Sequence, residues 1–173
     1  MRKLLFCLSA LVIAASAEAA LPQGAKAPDF VTTGAIGGKP FKLHLSDELR
    51  KGPVVLYFFP KAFTEGCTAE AHAFSDAIGD FKKAGAQVIG MSADKLPILK
   101  KFSVEHCRSA FPVATATPAT QRAYRVAWAE HPGLTTRTSY VIDQRGRIAM
   151  VHDDLDFSQH VAKTLAAVRS LKH

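Results

Sequence analysis

The chain has 173 residues, of which 48% are hydrophobic, 9% aromatic and 21% charged. That is enough for one domain with a core, and the composition excludes a disordered, collagen-like or polytopic membrane chain. Lys and Arg number 22 against 15 Asp and Glu, a net charge of +7, and three cysteines are too few for a disulfide-dense scaffold.

The first residues read as an address. Arg2-Lys3 gives a short positive start, and Leu4 to Ala17 is interrupted only by Ser9 and Ser16. Ala17-Glu18-Ala19 then places small residues where a signal peptidase reads them. A spanning helix needs about 20 apolar residues, so a permanent anchor fits less well. Leu5-Phe6-Cys7 lacks the small residues that a lipoprotein site requires before its cysteine. The expectation is a cleavable signal peptide over 1–19 and one mature domain over 20–173. The protein would then be periplasmic or secreted, with no membrane attachment after cleavage. Cleavage removes Cys7, lowers the net charge to +6 and leaves Cys67 and Cys107, one possible pair in an oxidising compartment.

The basic pairs Arg50-Lys51, Lys82-Lys83 and Lys100-Lys101 are scattered, with acids between them. No long block of like charge and no aromatic interleaving points to nucleic acid, so the charge reads as a solvated face.

The elements follow in chain order. Phe30-Val31 and Phe41 to Leu45 flank Gly34, Gly37 and Gly38, which predicts a hairpin. Val54 to Phe59 is a continuous apolar run, suited to a strand buried on both faces. Cys67 to Lys83 predicts a helix with Cys67, Ala71, Phe74, Ile78 and Phe81 on one face, stopped by Gly85. Gln87 to Ala93 predicts a second buried strand. Asp94 is a candidate cap for a helix reaching about Glu105, and Phe111 to Ala114 is short and extended. A short helix comes next. Thr138–Ile142 and Arg147–Val151 are strands joined at Asp143-Gln144-Arg145-Gly146. A last helix over about Ser158–Leu171 shows Phe157, Val161, Leu165, Val168 and Leu171 as its stripe. The fold class is α/β, a mixed central sheet flanked by helices with an N-terminal hairpin. The thioredoxin-like architecture has this order.

The chemistry concentrates between Pro60 and Cys67. The buried strand ends at Phe58-Phe59-Pro60, and Cys67 opens a helix with Thr64 three positions before it. A thiol there meets unpaired backbone N–H groups and the positive end of the helix dipole. Both favour the thiolate, which is the nucleophile. The Thr64 hydroxyl can both donate and accept at that spot. Pro60 has no N–H and can wall the site without competing for it. The bland alternative is a small buried hydrophobe, the common fate of a free cysteine.

Pro60-Lys61-Ala62-Phe63-Thr64-Glu65-Gly66-Cys67 resembles the peroxiredoxin pattern P-x-x-x-T-x-x-C. Cys67-Thr68-Ala69-Glu70, with Phe74 further on, is similar to the Q-type (bacterioferritin-comigratory) subgroup. Ala27-Pro28-Asp29-Phe30 resembles the family's opening strand, and Arg137-Thr138-Ser139-Tyr140-Val141-Ile142-Asp143 its arginine strand. The resemblance implies a thiol peroxidase that needs no metal or organic cofactor. Cys67 would attack a peroxide oxygen and become sulfenic acid. Thr64 would hydrogen-bond the peroxide, Pro60 would shield the site, and Arg137 would pair with the thiolate. Taken alone, Arg137 reads as a surface arginine. Glu70 is a weaker candidate for orienting Arg137.

Many Q-type members carry a resolving thiol five residues after the first, where this chain has His72. Cys107 is the mature alternative, at a place where some members carry that thiol. The expectation is an intramolecular disulfide formed after local unravelling, since the two cysteines lie on different elements. A thioredoxin-like or other exported dithiol would reduce it, and the protein would be a monomer or weak dimer. Two other readings compete. One is an exported thiol–disulfide exchanger, which the lack of a C-x-x-C weakens. The other is a non-enzymatic binding module with Cys67–Cys107 as a static staple. Within the peroxidase reading itself, Cys107 is alternatively a bystander to a one-cysteine enzyme.

The remaining motifs carry less. Gly34-Ala35-Ile36-Gly37-Gly38-Lys39-Pro40 has the wrong spacing for a phosphate loop, and the seven histidines show no HxxxH or HExxH spacing. His106, beside Cys107, either tunes that thiol or is simply solvated.

Overall fold

The computed structural model describes residues 20–171. The expected leader and its Cys7 lie outside the described residues. Among those described, no helix is long and apolar enough to cross a membrane.

Seven strands form one mixed sheet. They are β1 (Val31–Ile36), β2 (Lys39–His44), β3 (Val54–Phe58), β4 (Gln87–Ser92), β5 (Val113–Thr115), β6 (Thr138–Ile142) and β7 (Ile148–Asp153). The spatial order is β2-β1-β5-β4-β3-β6-β7. β3 runs parallel to β4, and β4 to β5, while the other pairings are antiparallel. The helices are α1 (Leu45–Leu49), α2 (Glu65–Lys83), α3 (Leu96–Glu105), α4 (Pro118–Ala123) and α5 (His160–Ser170).

The run in β3 shows why the sheet is covered twice. Alternate residues of a strand face opposite ways. Val55, Tyr57 and Phe59 pack with α2 and α3 residues such as Phe74 and Phe102. Val54, Leu56 and Phe58 join a second cluster with Leu45, Leu49 and Tyr124. Both sets are fully buried.

The stripe of α2 meets the first cluster as expected, with Cys67, Ala71, Phe74 and Phe81 buried and Ile78 packed against them. Gly85, at φ +77°, ends the helix. The amide of Ala86 donates to the Phe81 carbonyl and that of Gly85 to Lys82, both at 2.9 Å. That paired closure with a left-handed glycine is the Schellman stop.

Four expectations are corrected. α2 begins at Glu65, two residues before Cys67, with Thr64 as its N-cap. α3 is capped from Lys95, not Asp94. The Asp94 carboxylate instead accepts from the Ala62 amide at 2.7 Å and the Ser92 hydroxyl at 2.9 Å. α1 takes Leu45, which the apolar pattern assigned to a strand. The last helix follows a 3-10 turn at Phe157–Gln159, and its fully buried residues include His160 and Thr164 rather than an apolar stripe alone. Those two polar side chains tolerate burial because Ser139 and the His160 carbonyl bond to them.

The hairpin turns on Gly37 and Gly38, both at positive φ. That fits the two-residue turn whose twist matches its strands. Gly34 is not part of the turn. It lies inside β1 opposite Ala114 of β5. A Cβ on Gly34 would sit 2.7 Å from the Val113 carbonyl oxygen. That obstacle is backbone and cannot rotate away, so Gly34→Ala is expected to destabilise the fold by about 1–3 kcal/mol. Urea unfolding of the variant checks this, and an unchanged midpoint would contradict it.

Candidate active site

β3 leads straight into the site. Pro60 follows its end and is half-buried. The loop after it is tied down where Ala62 donates to Asp94. Phe63 takes a left-handed backbone, φ +67°, uncommon for a residue with a side chain. Its ring rests edge-on against Phe102 and His106. The turn delivers Thr64 to the start of α2.

The Thr64 side chain does not cap the helix. Its hydroxyl donates to the Lys61 carbonyl at 2.9 Å, and the residue is exposed. The proton is therefore committed, and the oxygen lone pairs are left to accept from an incoming O–H. Cys67 is the third residue of α2 and 1% exposed. The first helical bond here is Thr68 N–H to the Thr64 carbonyl. The three amides before it, Cys67's included, have no partner within the helix.

Arg137 arrives from the other side. β6 pairs antiparallel with β3, and Thr138 lies opposite Phe58. The residue before Thr138 is thereby set beside the loop that leaves β3. Thr135 fastens this approach by donating to the Phe59 carbonyl at 2.8 Å. Arg137 is 6% exposed and makes three contacts. Nε donates to the Leu155 carbonyl at 2.8 Å, Nη1 to Glu70 Oε2, and Nη2 to Cys67 Sγ at 3.5 Å. A planar fork of donors suits this arrangement in a way a lysine could not. Gly66 makes room, since a Cβ there would come within 3.3 Å of Nη2.

Glu70 stands one turn after Cys67 and is fully buried. Burial pushes its carboxyl up to about 7, against the downward pull of Arg137. Its other oxygen, Oε1, has no hydrogen-bond partner and lies 3.7 Å from His160 Nδ1. Burial pushes His160 down to about 4.

Cys107 is not part of this cluster. Among the described residues Cys67 and Cys107 are both free thiols and buried. The Cys107 carbonyl accepts from Ser75 Oγ at 3.0 Å. Ser75 lies eight residues beyond Cys67 on α2, about 12 Å along its axis. Burial pushes the Cys107 thiol well above its ordinary range. The two residues after it, Arg108 and Ser109, are both left-handed.

The structure thus brings Cys67, Arg137 and Glu70 into contact, sets Thr64 at the head of the same helix and Pro60 at the strand exit, and holds Cys107 apart. An open depression of about 590 Å³ lies beside the Phe63 loop, lined by Pro97, Ile98 and Lys101 among others. It is not lined by Cys67, Thr64 or Arg137, so the reactive cluster lies elsewhere. Sequence reasoning gave no site role to Gly66, Ser139 or His160 and took Asp94 for a helix cap. None of these has a local signal, because each acts on a residue distant in the chain.

Residues 23–151 match the AhpC/TSA family. The chain belongs to that family. It is 32% identical over 136 residues to peroxiredoxin Q, chloroplastic, of Sedum lineare, covering 78% of this chain and 72% of that one. The crystal structure of peroxidoxin BcpB from Mycobacterium tuberculosis superposes with a TM-score of 0.78 at 30% identity, covering 87% of this chain and 98% of that one. Peroxiredoxin Q of Xanthomonas campestris gives 0.70 at 25% identity, over 80% and 90%. The protein is a Q-type peroxiredoxin with the thioredoxin-like fold, a thiol-dependent peroxidase. The family and fold that the motifs led one to expect are met.

Removing the guanidinium would leave Glu70 a buried acid without a counter-ion. The folded-state pKa of Glu70 is raised, so its stabilising contribution is whole below the unfolded value of 4.5 and fades as pH climbs through 7. In Arg137→Ala that pKa rises further. At pH 5 the carboxyl is protonated in both proteins, and the loss reflects packing and neutral contacts. At pH 8 charge burial adds to it, bringing the loss to about 3–5 kcal/mol. Urea titrations at the two pH values test this. Equal losses at both would contradict it.

Proposed function

We propose that the protein is an exported peroxidase that reduces hydrogen peroxide and organic hydroperoxides through Cys67, with Cys107 as the resolving thiol. The observation that carries the reading is the Arg137 Nη2 contact with Cys67 Sγ at 3.5 Å, in the first turn of α2. The Cys67 thiolate attacks one oxygen of ROOH, and the O–O bond breaks. Sulfur keeps the attacked oxygen as sulfenic acid, and the other departs as alkoxide or hydroxide and takes a proton. Thr64 accepts a hydrogen bond from the bound peroxide. Arg137 and the free amides of α2 meet the charge as it moves onto the departing oxygen. Pro60 walls the pocket. No step calls for a metal or an organic cofactor.

In the second half, the Cys107 thiol displaces the sulfenic oxygen as water and forms a disulfide with Cys67. An exported, thioredoxin-like or other dithiol supplies the two electrons that reopen it. Three side chains of α2 oppose this step. His72 meets His106 at 3.3 Å, Ser75 holds the Cys107 carbonyl, and Asp76 binds Arg108 at 2.6 Å. Residues 106, 107 and 108 are thus clamped one by one. The consecutive left-handed residues Arg108 and Ser109 weaken the segment that must open. The same clamp and the burial of Cys107 favour the second reading, a one-cysteine peroxidase reduced directly at the sulfenic acid. Localisation follows the leader over 1–19, and a monomer or weak dimer suffices for every step.

Stopped-flow oxidation of the reduced protein tests the proposal. Cys67→Ser should abolish the fast reaction with peroxide. Cys107→Ser should keep it and accumulate sulfenic acid, visible by mass spectrometry. A wild-type rate no faster than free cysteine would overturn the peroxidatic role. Absence of an intramolecular disulfide would leave the one-cysteine reading. Asp76→Ala, which removes one rung of the clamp, is expected to speed disulfide formation several-fold without altering the first oxidation.

A further inference from the structure

Arg137 stands between two acids, Cys67 and Glu70. Glu70 Oε2 is taken by Arg137, and the unpartnered Oε1 lies 3.7 Å from His160 Nδ1. His160 Nε2 lies 2.9 Å from the Asp154 carbonyl. A carbonyl only accepts, so Nε2 carries the ring hydrogen. In the neutral ring Nδ1 then has a lone pair, and it accepts from the Ser139 hydroxyl at 2.7 Å. An acceptor nitrogen therefore faces an acceptor oxygen 3.7 Å away, with both residues fully buried. The single Nδ1 lone pair is engaged by Ser139, so an anionic Oε1 finds no donor on that side; a proton on Oε1 removes that unmet charge and can share the Nδ1 lone pair with the Ser139 hydroxyl.

We propose that Glu70 Oε1 holds a proton directed at His160 Nδ1 when Cys67 is a thiolate, and that His160 is a positioning residue for this neutral carboxyl. This rests on Cys67 being the reacting thiol. The charges then balance. With Cys67 as thiol, Glu70 is anionic and paired to Arg137. When the sulfur gives up its proton, Oε1 takes one up. The cluster stays neutral in both states, and the full charge of Arg137 is turned to the sulfur. When the O–O bond breaks, the departing RO⁻ takes a proton, Glu70 becomes the anion again, and ROH leaves. No outside acid is required.

The other groups around the carboxyl are consistent with one mobile proton. Tyr57, on β3, has a buried hydroxyl whose ionisation burial pushes well upward, so it stays neutral. His152, on β7, packs against His160 with the rings tilted and their centres 4.5 Å apart, and burial with Lys163 lowers it. Asp154 and Asp156 lie on the far side of His160, in the connection to α5, and both are exposed. Glu70 is raised to about 7 and His160 lowered to about 4, so near neutral pH the carboxyl, not the ring, is the group able to hold a proton.

The test is the pH midpoint of Cys67 alkylation in the full chain, measured with iodoacetamide and without peroxide. Glu70→Gln is isosteric with the protonated acid and sets an N–H donor where Oε1–H would be. It should move the midpoint down by about one unit, about tenfold more thiolate at fixed pH. His160→Phe keeps a planar ring and removes the acceptor, so Glu70 ionises more readily and the midpoint should move up. The double variant should follow Glu70→Gln, because the His160 effect acts through the proton that Gln replaces. If the Phe variant does not fold, Ser139→Ala serves, since it frees the Nδ1 lone pair for Glu70 and should lower the midpoint. A midpoint that rises or stays put in Glu70→Gln overturns the proposal. So does a His160 or Ser139 variant that changes stability alone. Should peroxide fail to oxidise Cys67, the function above falls, while the alkylation midpoints still decide this inference.

Discussion

A guanidinium almost sealed from water, touching a sulfur on one edge and a carboxyl on another, is what the structure is organised around. A buried charge is costly unless it is paired and hydrogen-bonded. Arg137 meets that demand through the Leu155 carbonyl, Glu70 and Cys67. These partners come from two remote parts of the chain, α2 and the segment after β7. The antiparallel register of β3 and β6 sets the arginine next to the strand exit, and α2 supplies both acids from one face. Gly66 keeps the approach open. The central sheet therefore matters to chemistry chiefly because its register decides which residue faces the thiol.

The two cysteines show how much environment counts. Cys67 has a helix start, a guanidinium and an acceptor hydroxyl close by. Cys107 has apolar neighbours and a main chain held by Ser75. The first setting offers a thiolate donors and positive charge, and the second, apolar and buried, disfavours one. The sequence offers the same residue type in both places. What separates them is contact with side chains tens of residues away.

Much of the fold was legible because it follows from local periodicity. The run Val54 to Phe59 announced a strand buried on both faces, and the offsets of Ala71, Phe74 and Phe81 announced the inner face of α2. Gly85 marked its end through backbone freedom alone. The misreadings share a cause. Asp94 looks like a helix cap by composition, but its carboxylate is drawn to Ala62, thirty-two residues earlier. Gly34 looks like a turn glycine, yet its missing side chain serves the close approach of β5. His160 and Thr164 break the apolar stripe of α5 because hydrogen bonds to Ser139 and to the helix itself compensate their burial.

The sequence by itself determined the class of chemistry. A cysteine at a strand–loop–helix junction, three residues after a threonine, carries its own activation, because helix ends expose amides and dipole whatever surrounds them. The family pattern named the rest of the candidates. The tertiary structure alone decided that the Thr64 hydroxyl donates to the Lys61 carbonyl rather than capping α2, that Cys107 stands off from Cys67, and that a glutamate and a histidine ninety residues apart face each other across a dry gap. Those are matters of distance and hydrogen-bond direction between remote segments, and no spacing along a chain encodes them.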